Sequence, residues 1–566
     1  MPIPADTTGL GTCAADLRDL ARLATPLPHS TLQPSQVGLC WQRAILGCCL
    51  PLACVRGLPS GAERFIPESD RASGAGHRVR DECLCCCVWL SANSASGHRP
   101  RRSQRLAEVA GAGMVGGHTF QYMEQLSDDI GARVTGSPDA ARAIDWGLKT
   151  MRSIGLEDVH SEPWQLWRGW TRGVAEVWLI SPNHRKLTAD SMGWVGSTAV
   201  GGVDADVVQV NLDTLADEIS KNSSDWTGKV LLVRQRSDHP THRLGPAEYG
   251  RFLSAANAAQ AVAAIGGQGG KKSAGIKLTH TGILGFRTYY EIPVLSMAAE
   301  DQAQIERLLD EGKPVKLHIN VQNTTTSGPV PSAIVVREIR GTEHPEEVFV
   351  VGGHLDSWDL AQGATDNGCG VATVLGAAEA ILRSGLRPRR TIRFVLFTGE
   401  EQGLVGSREY VKLHQADMHN YLGDIVLDEG QGPVVGFDLN GRSDLTETFK
   451  QFVDTLGGFG QLGVITDPVF GTDTGSFTLA GLPGILLTQD TSEYQISHHS
   501  AADTVDKVDR AVLTRNATIE ALVAFWIADQ PSRFAEPWPA ERAEKMLRDA
   551  HMEEQLRVFG MWPFAN

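Results

Sequence analysis

The sequence predicts an α/β protein built on a doubly wound, mostly parallel sheet sandwiched by helices, with a β-rich unit inserted into it. From about residue 330, apolar strand-like runs alternate with helix-like stretches such as GCGVATVLGAAEAILRSG. That alternation is typical of a parallel sheet with helices on both faces. Residues 185–318 instead contain short β-rich pieces around one alanine-rich helix, which indicates a separate inserted unit.

Length and composition limit the class of protein. The chain has 566 residues, of which 42% are hydrophobic and 21% charged, and its net charge is −15. This composition is typical of globular proteins, and the length allows several domains. The acidic charge argues against nucleic-acid binding, which depends on basic surfaces. No apolar run reaches the length of about 18 residues that predicts a transmembrane segment.

Residues 1–113 differ from the rest of the chain. They contain nine of the ten cysteines and no lysine. The cysteine spacing suits neither a disulfide scaffold nor a zinc module, and the first residues, MPIPADTTGL, do not resemble a signal peptide. We therefore predict a poorly ordered extension, or one translated upstream of a true start at Met114, and expect a chain that begins at Met114 to fold and be active.

The remaining chain divides into four predicted parts. The main domain begins with helical periodicity around a Ser-Pro turn, and the β-rich unit divides this domain into two segments. The parts are the first segment of the main domain (114–184), the inserted unit (185–318), the second segment of the main domain with the candidate site (319–540) and a C-terminal helical tail (541–566).

Five short segments place potential metal ligands just after predicted strands of the main domain. They are GGHLDSWD, GATDNGCG, FTGEEQG, VLDEG and SHHSAADT. In such sheets, ligands bind at the carboxyl ends of the strands. Imidazole and carboxylate groups are usual zinc ligands, and two metal ions about 3.5–4 Å apart need a bridging carboxylate. The pattern therefore predicts a two-metal hydrolytic site.

Longer runs around these segments resemble the co-catalytic zinc exopeptidases. The runs are GGHLDSWDLAQGATDNGCG, FTGEEQGLVGS and HHSAADTVD, and the opening IGARVTGSPDAARAIDW is similar to the carboxypeptidase Q branch of that family. The inserted unit resembles a protease-associated domain. The resemblance covers roughly residues 118–530. It implies the zinc exopeptidase fold, two zinc ions per chain and peptide substrates.

The resemblance also implies a role for each of these side chains. The implied zinc ligands are His354, Asp366, Glu401, Asp428 and His499. Asp366 would bridge the two ions. Glu400 would act as general base and then as acid, and Asp356 would orient the imidazole of His354. The same resemblance implies a cis peptide bond between Asp366 and Asn367.

Several positions keep an alternative. Glu429 and Asp438 compete with Asp428 for one ligand position. Three further side chains are candidates for substrate contacts: His498, Asp473 and Tyr494. The alternative is a satisfied polar residue for His498, a turn-forming residue for Asp473 and aromatic packing for Tyr494.

The predicted function is that of a zinc-dependent exopeptidase acting on small peptides or dipeptides. A receptor or scaffold relative would have lost ligands, and a single-zinc acyltransferase of the glutaminyl cyclase type would need fewer, so the full ligand set disfavours both. The sequence does not separate an aminopeptidase from a carboxypeptidase or dipeptidase. Relatives of this family are mostly exported, but without a signal peptide at Met1 the location stays open, as does a homodimer.

Overall fold

The computed structural model describes residues 102–211, 214–234, 246–266 and 276–564. In this part of the chain the helices are α1 (Arg102–Met114), α2 (Thr119–Glu124), α3 (Pro138–Ile154), α4 (Leu215–Asn222), α5 (Pro246–Ala258), α6 (Ala299–Asp310), α7 (Cys369–Arg383), α8 (Val405–Leu413), α9 (Thr446–Val453), α10 (Thr474–Leu479), α11 (Tyr494–Ser497), α12 (Arg510–Ala528), α13 (Ala540–Asp549) and α14 (Glu553–Val558). The strands are β1 (Glu157–Leu166), β2 (Trp170–Ser181), β3 (Arg185–Leu187), β4 (Ala189–Ser191), β5 (Val203–Asn211), β6 (Val230–Arg234), β7 (Ala263–Ile265), β8 (Val294–Met297), β9 (Lys316–Thr325), β10 (Val330–Ile339), β11 (His344–His354), β12 (Arg390–Phe397), β13 (Tyr421–Val426), β14 (Val434–Asp438), β15 (Gly463–Ile465) and β16 (Gly484–Gln489).

The first sheet carries the predicted α/β fold. Its strand order is β1-β10-β12-β11-β13-β16-β14-β15. The four central strands, β12, β11, β13 and β16, are parallel, whereas β1 and β10 add antiparallel at one side. The central strands are almost wholly buried, because helices cover both faces of a parallel sheet. Helices α7 and α12 cover one face, and α8 and α10 lie on the other. The fold class is therefore confirmed.

Helix α12 lies in the core, on the same face of the first sheet as α7. Among the described residues it alone is long and apolar enough to cross a membrane, but 78% of that stretch is buried inside the protein. It packs against α1, α7 and the first sheet. Burial against the other elements of the protein explains its apolar sequence.

A second sheet is formed by the strands that come between β1 and β10 along the chain. Its strand order is β3-β2-β9-β5-β6-β7-β8-β4. The long strands β2 and β9 pair antiparallel from Trp170 opposite Thr325. The sheet therefore extends beyond the predicted bounds of 185–318 at both ends, because the chain enters and leaves it through these two paired strands.

Helix α1 belongs to the folded part, although the sequence predicts poor order up to residue 113, so the predicted boundary is wrong. Two nitrogens of Arg105 donate to the carboxylate of Asp529 at 2.8 and 3.1 Å. Val109 is fully buried in the core formed with α7 and α12. Tertiary packing stabilises this helix, and local composition does not reveal it. The prediction for residues 1–101 lies outside the described residues.

The C-terminal helices α13 and α14 close a small apolar cluster. Leu547, Leu556 and Met561 are buried around Leu404, and Phe286 of the second-sheet region packs against the same cluster. Leu404 follows the Glu-Glu pair of the candidate site. The tail therefore supports the chain segment that carries that pair.

Candidate metal centre

Three parallel strands of the first sheet deliver the candidate ligands to one edge. His354 is the last residue of β11, Glu400 and Glu401 follow β12, and Asp428 follows β13. Strands β11, β12 and β13 are parallel neighbours, so their carboxyl ends lie side by side. Helix α7 also approaches β11 closely, since a Cβ atom added to Gly353 would lie 3.1 Å from the backbone of Gly370.

Asp366 reaches the same edge from the turn before α7. Asp503 holds this turn, because its carboxylate accepts hydrogen bonds from the backbone nitrogens of Thr365 (2.5 Å) and Asp366 (3.3 Å). The Asn367 side chain donates to the carbonyl of Leu427 at 3.0 Å, which ties the turn to the end of β13. The Asp366–Asn367 peptide bond is cis, as expected.

The two oxygens of Asp366 face two different histidines. Oδ1 lies 3.3 Å from Nε2 of His354, and Oδ2 lies 3.3 Å from Nε2 of His499. Asp428 Oδ1 is 3.1 Å from the same His354 nitrogen. Glu401 Oε2 is 3.0 Å from Nε2 of His499. The five side chains therefore form two half-sites that share one carboxylate.

The donor set fits a pair of zinc ions. Oε1 of Glu401 is buried and has no hydrogen-bond partner among the described residues. A buried anionic oxygen requires a compensating partner. The atoms of His354, Asp366 and Glu401 lie close enough together to hold one ion, and Asp366, His498 and His499 form a second such group. Imidazole nitrogen with carboxylate oxygen is the ligand chemistry of zinc.

Electrostatics at this centre favour bound cations. Burial raises the pKa of Glu400 well above its ordinary value, and the nearby carboxylates of Asp428 and Glu401 raise it further. Burial would lower the pKa of His499, but Glu401 and Asp366 outweigh it and raise that pKa to about 10. Burial likewise opposes ionisation of Asp366, yet hydrogen bonds from His354 and His499 hold its pKa well below the usual range. A divalent cation bound by Asp366 and Glu401 would displace the proton that these carboxylates hold on His499.

Glu400 and Asp356 lie beside the His354 half-site. Glu400 Oε2 is 3.9 Å from His354 Nε2, farther than the predicted ligands. The Nδ1 atom of His354 lies 3.0 Å from the backbone carbonyl oxygen of Asp356 and 3.7 Å from its carboxylate. The predicted orienting residue is therefore next to the imidazole, but its main chain makes the shorter contact.

The competing acidic residues point elsewhere. Glu429 Oε2 accepts a hydrogen bond from the backbone nitrogen of Gln489 at 2.9 Å. Asp438 Oδ1 accepts one from the backbone nitrogen of Asn440 at 2.9 Å. Both carboxylates stabilise local backbone, which leaves Asp428 at the centre.

The candidate substrate contacts differ in position. The His498 ring stacks on that of His499 with centroids 3.7 Å apart, and the Tyr494 ring lies edge-on to His498 at 5.0 Å. Asp473 has no exposed surface, and burial raises its pKa to about 7. His498 and Tyr494 therefore flank the centre, whereas Asp473 is fully buried and cannot touch a substrate without movement of the surrounding residues.

Other groups that shape the centre carry little signal in the sequence. The guanidinium of Arg133, fully buried, donates to the carbonyls of Leu355 (2.7 Å), Gln362 (2.7 Å) and Gly363 (2.9 Å). It thereby fixes the loop between His354 and Asp366. Burial of an arginine cannot be recognised from its neighbours in the chain, although Arg133 stands inside the opening run that shows the family resemblance.

Comparisons with known proteins agree with this geometry. The model of peptidase family M28 matches residues 334–524. Carboxypeptidase Q of Mus musculus is 30% identical over 433 residues, covering 75% of this chain and 89% of that protein. The crystal structure of a peptidase M28 precursor from Shewanella amazonensis SB2B has a TM-score of 0.68 and 27% identity, covering 77% of this chain and 99% of that one. A zinc aminopeptidase from Bacillus subtilis shares the fold, with a TM-score of 0.57, 19% identity and coverage of 74% and 97%.

Proposed function

We propose that this chain, which belongs to peptidase family M28 and is a zinc-binding metallo-exopeptidase, uses two zinc ions and Glu400 to hydrolyse terminal peptide bonds of small peptides. The observation that carries the proposal is the position of Asp366, whose two oxygens each lie 3.3 Å from a different histidine. A carboxylate placed between two sets of ligands is what a two-metal centre requires.

The ligands divide between the two ions around the shared carboxylate of Asp366. His354 and Asp428 complete one set, and Glu401 and His499 complete the other. Zinc bound there would polarise the scissile carbonyl and lower the pKa of the attacking water. Contact with the carbonyl of Asp356 leaves His354 Nε2 directed at the carboxylates, so the imidazole is oriented before an ion binds.

Glu400 is the proposed general base. Its side chain is 12% exposed, whereas that of Glu401 is 2% exposed and lies 3.0 Å from His499. Glu400 can therefore reach a water molecule at the centre, take its proton and pass that proton to the leaving amine. Burial, and after it the neighbouring carboxylates, raise the pKa of Glu400, which suits a group that must hold the proton between the two steps.

Zinc stoichiometry tests the two-metal proposal. The metal-free protein, prepared with a chelator, should regain peptidase activity as zinc is added, up to two equivalents per chain. Elemental analysis of the reconstituted protein should then give two zinc ions. A single ion at full occupancy would instead favour the single-zinc acyltransferase chemistry, and full peptidase activity without metal would refute the mechanism.

The preference for substrates with free termini is tested separately. Because the chain is 30% identical to a carboxypeptidase Q over most of both proteins, we propose small peptides with free termini as substrates. A panel should show faster hydrolysis of free dipeptides than of aminoacyl-anilides, measured as kcat/KM with zinc present. Preference for the anilides, which lack a free carboxylate, would indicate an aminopeptidase instead.

A further inference from the structure

The chain segment before β8 of the second sheet makes main-chain contacts with the loop that carries His499. The backbone nitrogen of Thr281 donates to the His499 carbonyl at 2.8 Å. The Thr281 carbonyl oxygen in turn lies 3.3 Å from Nδ1 of His499. His280 and Ser500 extend this pairing as an antiparallel bridge. With its Nδ1 hydrogen donated to the Thr281 carbonyl, His499 would offer Nε2 to a metal ion once that ion has displaced the Nε2 proton.

One arginine joins this contact to the first half-site. Arg172 lies on β2 and forms a bidentate ion pair with Asp359, with nitrogen–oxygen distances of 2.7–3.0 Å. The same guanidinium donates to Oγ1 of Thr281 at 2.9 Å and to Ser191. Asp359 follows His354 by five positions on the loop after β11. Arg172 therefore holds together the loop of one predicted ligand and the segment that orients another.

The Trp358 ring packs between Trp194 and the imidazole of His499. Trp358 is 4% exposed and its ring lies 5.9 Å from that of His499. On its other side it lies edge-on to Trp194, with centroids 6.2 Å apart, and leaves no space for a side chain at Gly193. A shift of the Asp359 loop would therefore move a large ring that packs directly against the imidazole.

We propose that Arg172 is a positioning residue that fixes His499, and with it the affinity for the zinc ion held by Glu401 and His499. The inference rests on the two-zinc function proposed above. The planar guanidinium matches a carboxylate in two bonds and still reaches a third partner, which a lysine cannot do. Partners that orient a metal-bound histidine change metal affinity by about 10–100-fold when they are removed.

The experiment compares Arg172→Gln with Arg185→Gln. Arg185 is a matched control because it lies in the same sheet and forms an ion pair with Asp301 at 2.7 Å, whereas its guanidinium does not bond to Asp359 or Thr281. Zinc dissociation constants are measured by competition with a chromophoric chelator, and folding is checked by circular dichroism. We expect Arg172→Gln to weaken one of the two sites about 10–100-fold, with the other site and Arg185→Gln close to wild type.

Two more variants keep the inference testable if Arg172→Gln does not fold. Thr281→Val removes the side-chain acceptor of Arg172 but keeps the carbonyl that faces His499, and Asp359→Asn weakens the ion pair. Each should lower the same zinc affinity. The double variant Arg172→Gln/Asp359→Asn should be no weaker than the more affected single variant, because the two residues act as one unit.

The possible outcomes distinguish a failure of this inference from a failure of the proposed function on which it rests. A wild-type protein that binds fewer than two zinc ions would refute the proposed function, and the inference with it. A wild type with two ions, together with unchanged affinities in the Arg172 variant, would overturn the positioning role alone. An equal loss in Arg185→Gln would also overturn it, because the cause would then be general weakening of the second sheet.

Discussion

Glu400→Gln should keep both zinc ions while kcat falls by about 10²–10⁴-fold, the usual contribution of general acid–base catalysis. Glutamine has nearly the same shape as glutamate but neither accepts nor delivers the proton. Metal binding should survive, because the Glu400 carboxylate is 3.9 Å from His354 Nε2 whereas the Asp428 carboxylate is 3.1 Å from it. Elemental analysis gives the zinc content, and steady-state hydrolysis of a dipeptide gives kcat.

Glu401→Gln is the matched control, since it makes the same chemical change one residue away. Its carboxylate is 3.0 Å from His499 Nε2, so the variant should lose zinc as well as activity. Glu429→Gln, whose carboxylate bonds to the backbone of Gln489, should change zinc content little. The reverse result, with zinc lost from Glu400→Gln and retained by Glu401→Gln, would exchange the two proposed roles.

The sequence predicts the part of this centre that depends on strand ends. His354 ends an apolar strand, and the Glu-Glu pair and Asp428 each follow one. Parallel strands bring such positions to one edge regardless of the loops between them. The segments of Asp366 and His499 were also predicted to come just after strands, but in the structure further residues separate them from the ends of β11 and β16, so that part of the prediction is wrong. Both residues were assigned through the family resemblance, and their approach depends on Asp503 holding the turn before α7.

The contacts between the two sheets could not be predicted in the same way. The carbonyl of Thr281 faces an imidazole 218 positions away in the chain, and Arg172 meets Asp359 across 187 positions. Residue types do not show which backbone carbonyl will accept a hydrogen bond. A single arginine in a strand cannot be distinguished from a solvent-exposed charge by sequence alone. Only the packing of the second sheet against the first gives these groups their partners.

Removal of helix α1 has the second largest expected effect, and here the structure reverses the prediction made from composition. A chain that begins at Met114 loses Arg105, whose guanidinium bonds to Asp529 and to the carbonyl of Arg387 at 2.8 Å. It also loses Val109 from the core and uncovers one side of α12. Breaking a buried ion pair by removing one partner costs about 3–5 kcal/mol. We expect the shortened protein to be insoluble or to melt at least about 5 °C lower.

A chain that begins at Arg102 is the control, because it keeps all of α1. It should match the full chain in melting temperature and in kcat on a dipeptide. Arg105→Gln in the full chain isolates the ion pair and should account for part of the loss, since the guanidinium and the carboxylate are 8% and 6% exposed and both depend on each other for compensation of charge. If the chain that begins at Met114 melts with the full chain and hydrolyses peptides equally well, α1 contributes nothing to the fold, and the extension inferred from composition would reach residue 113 after all.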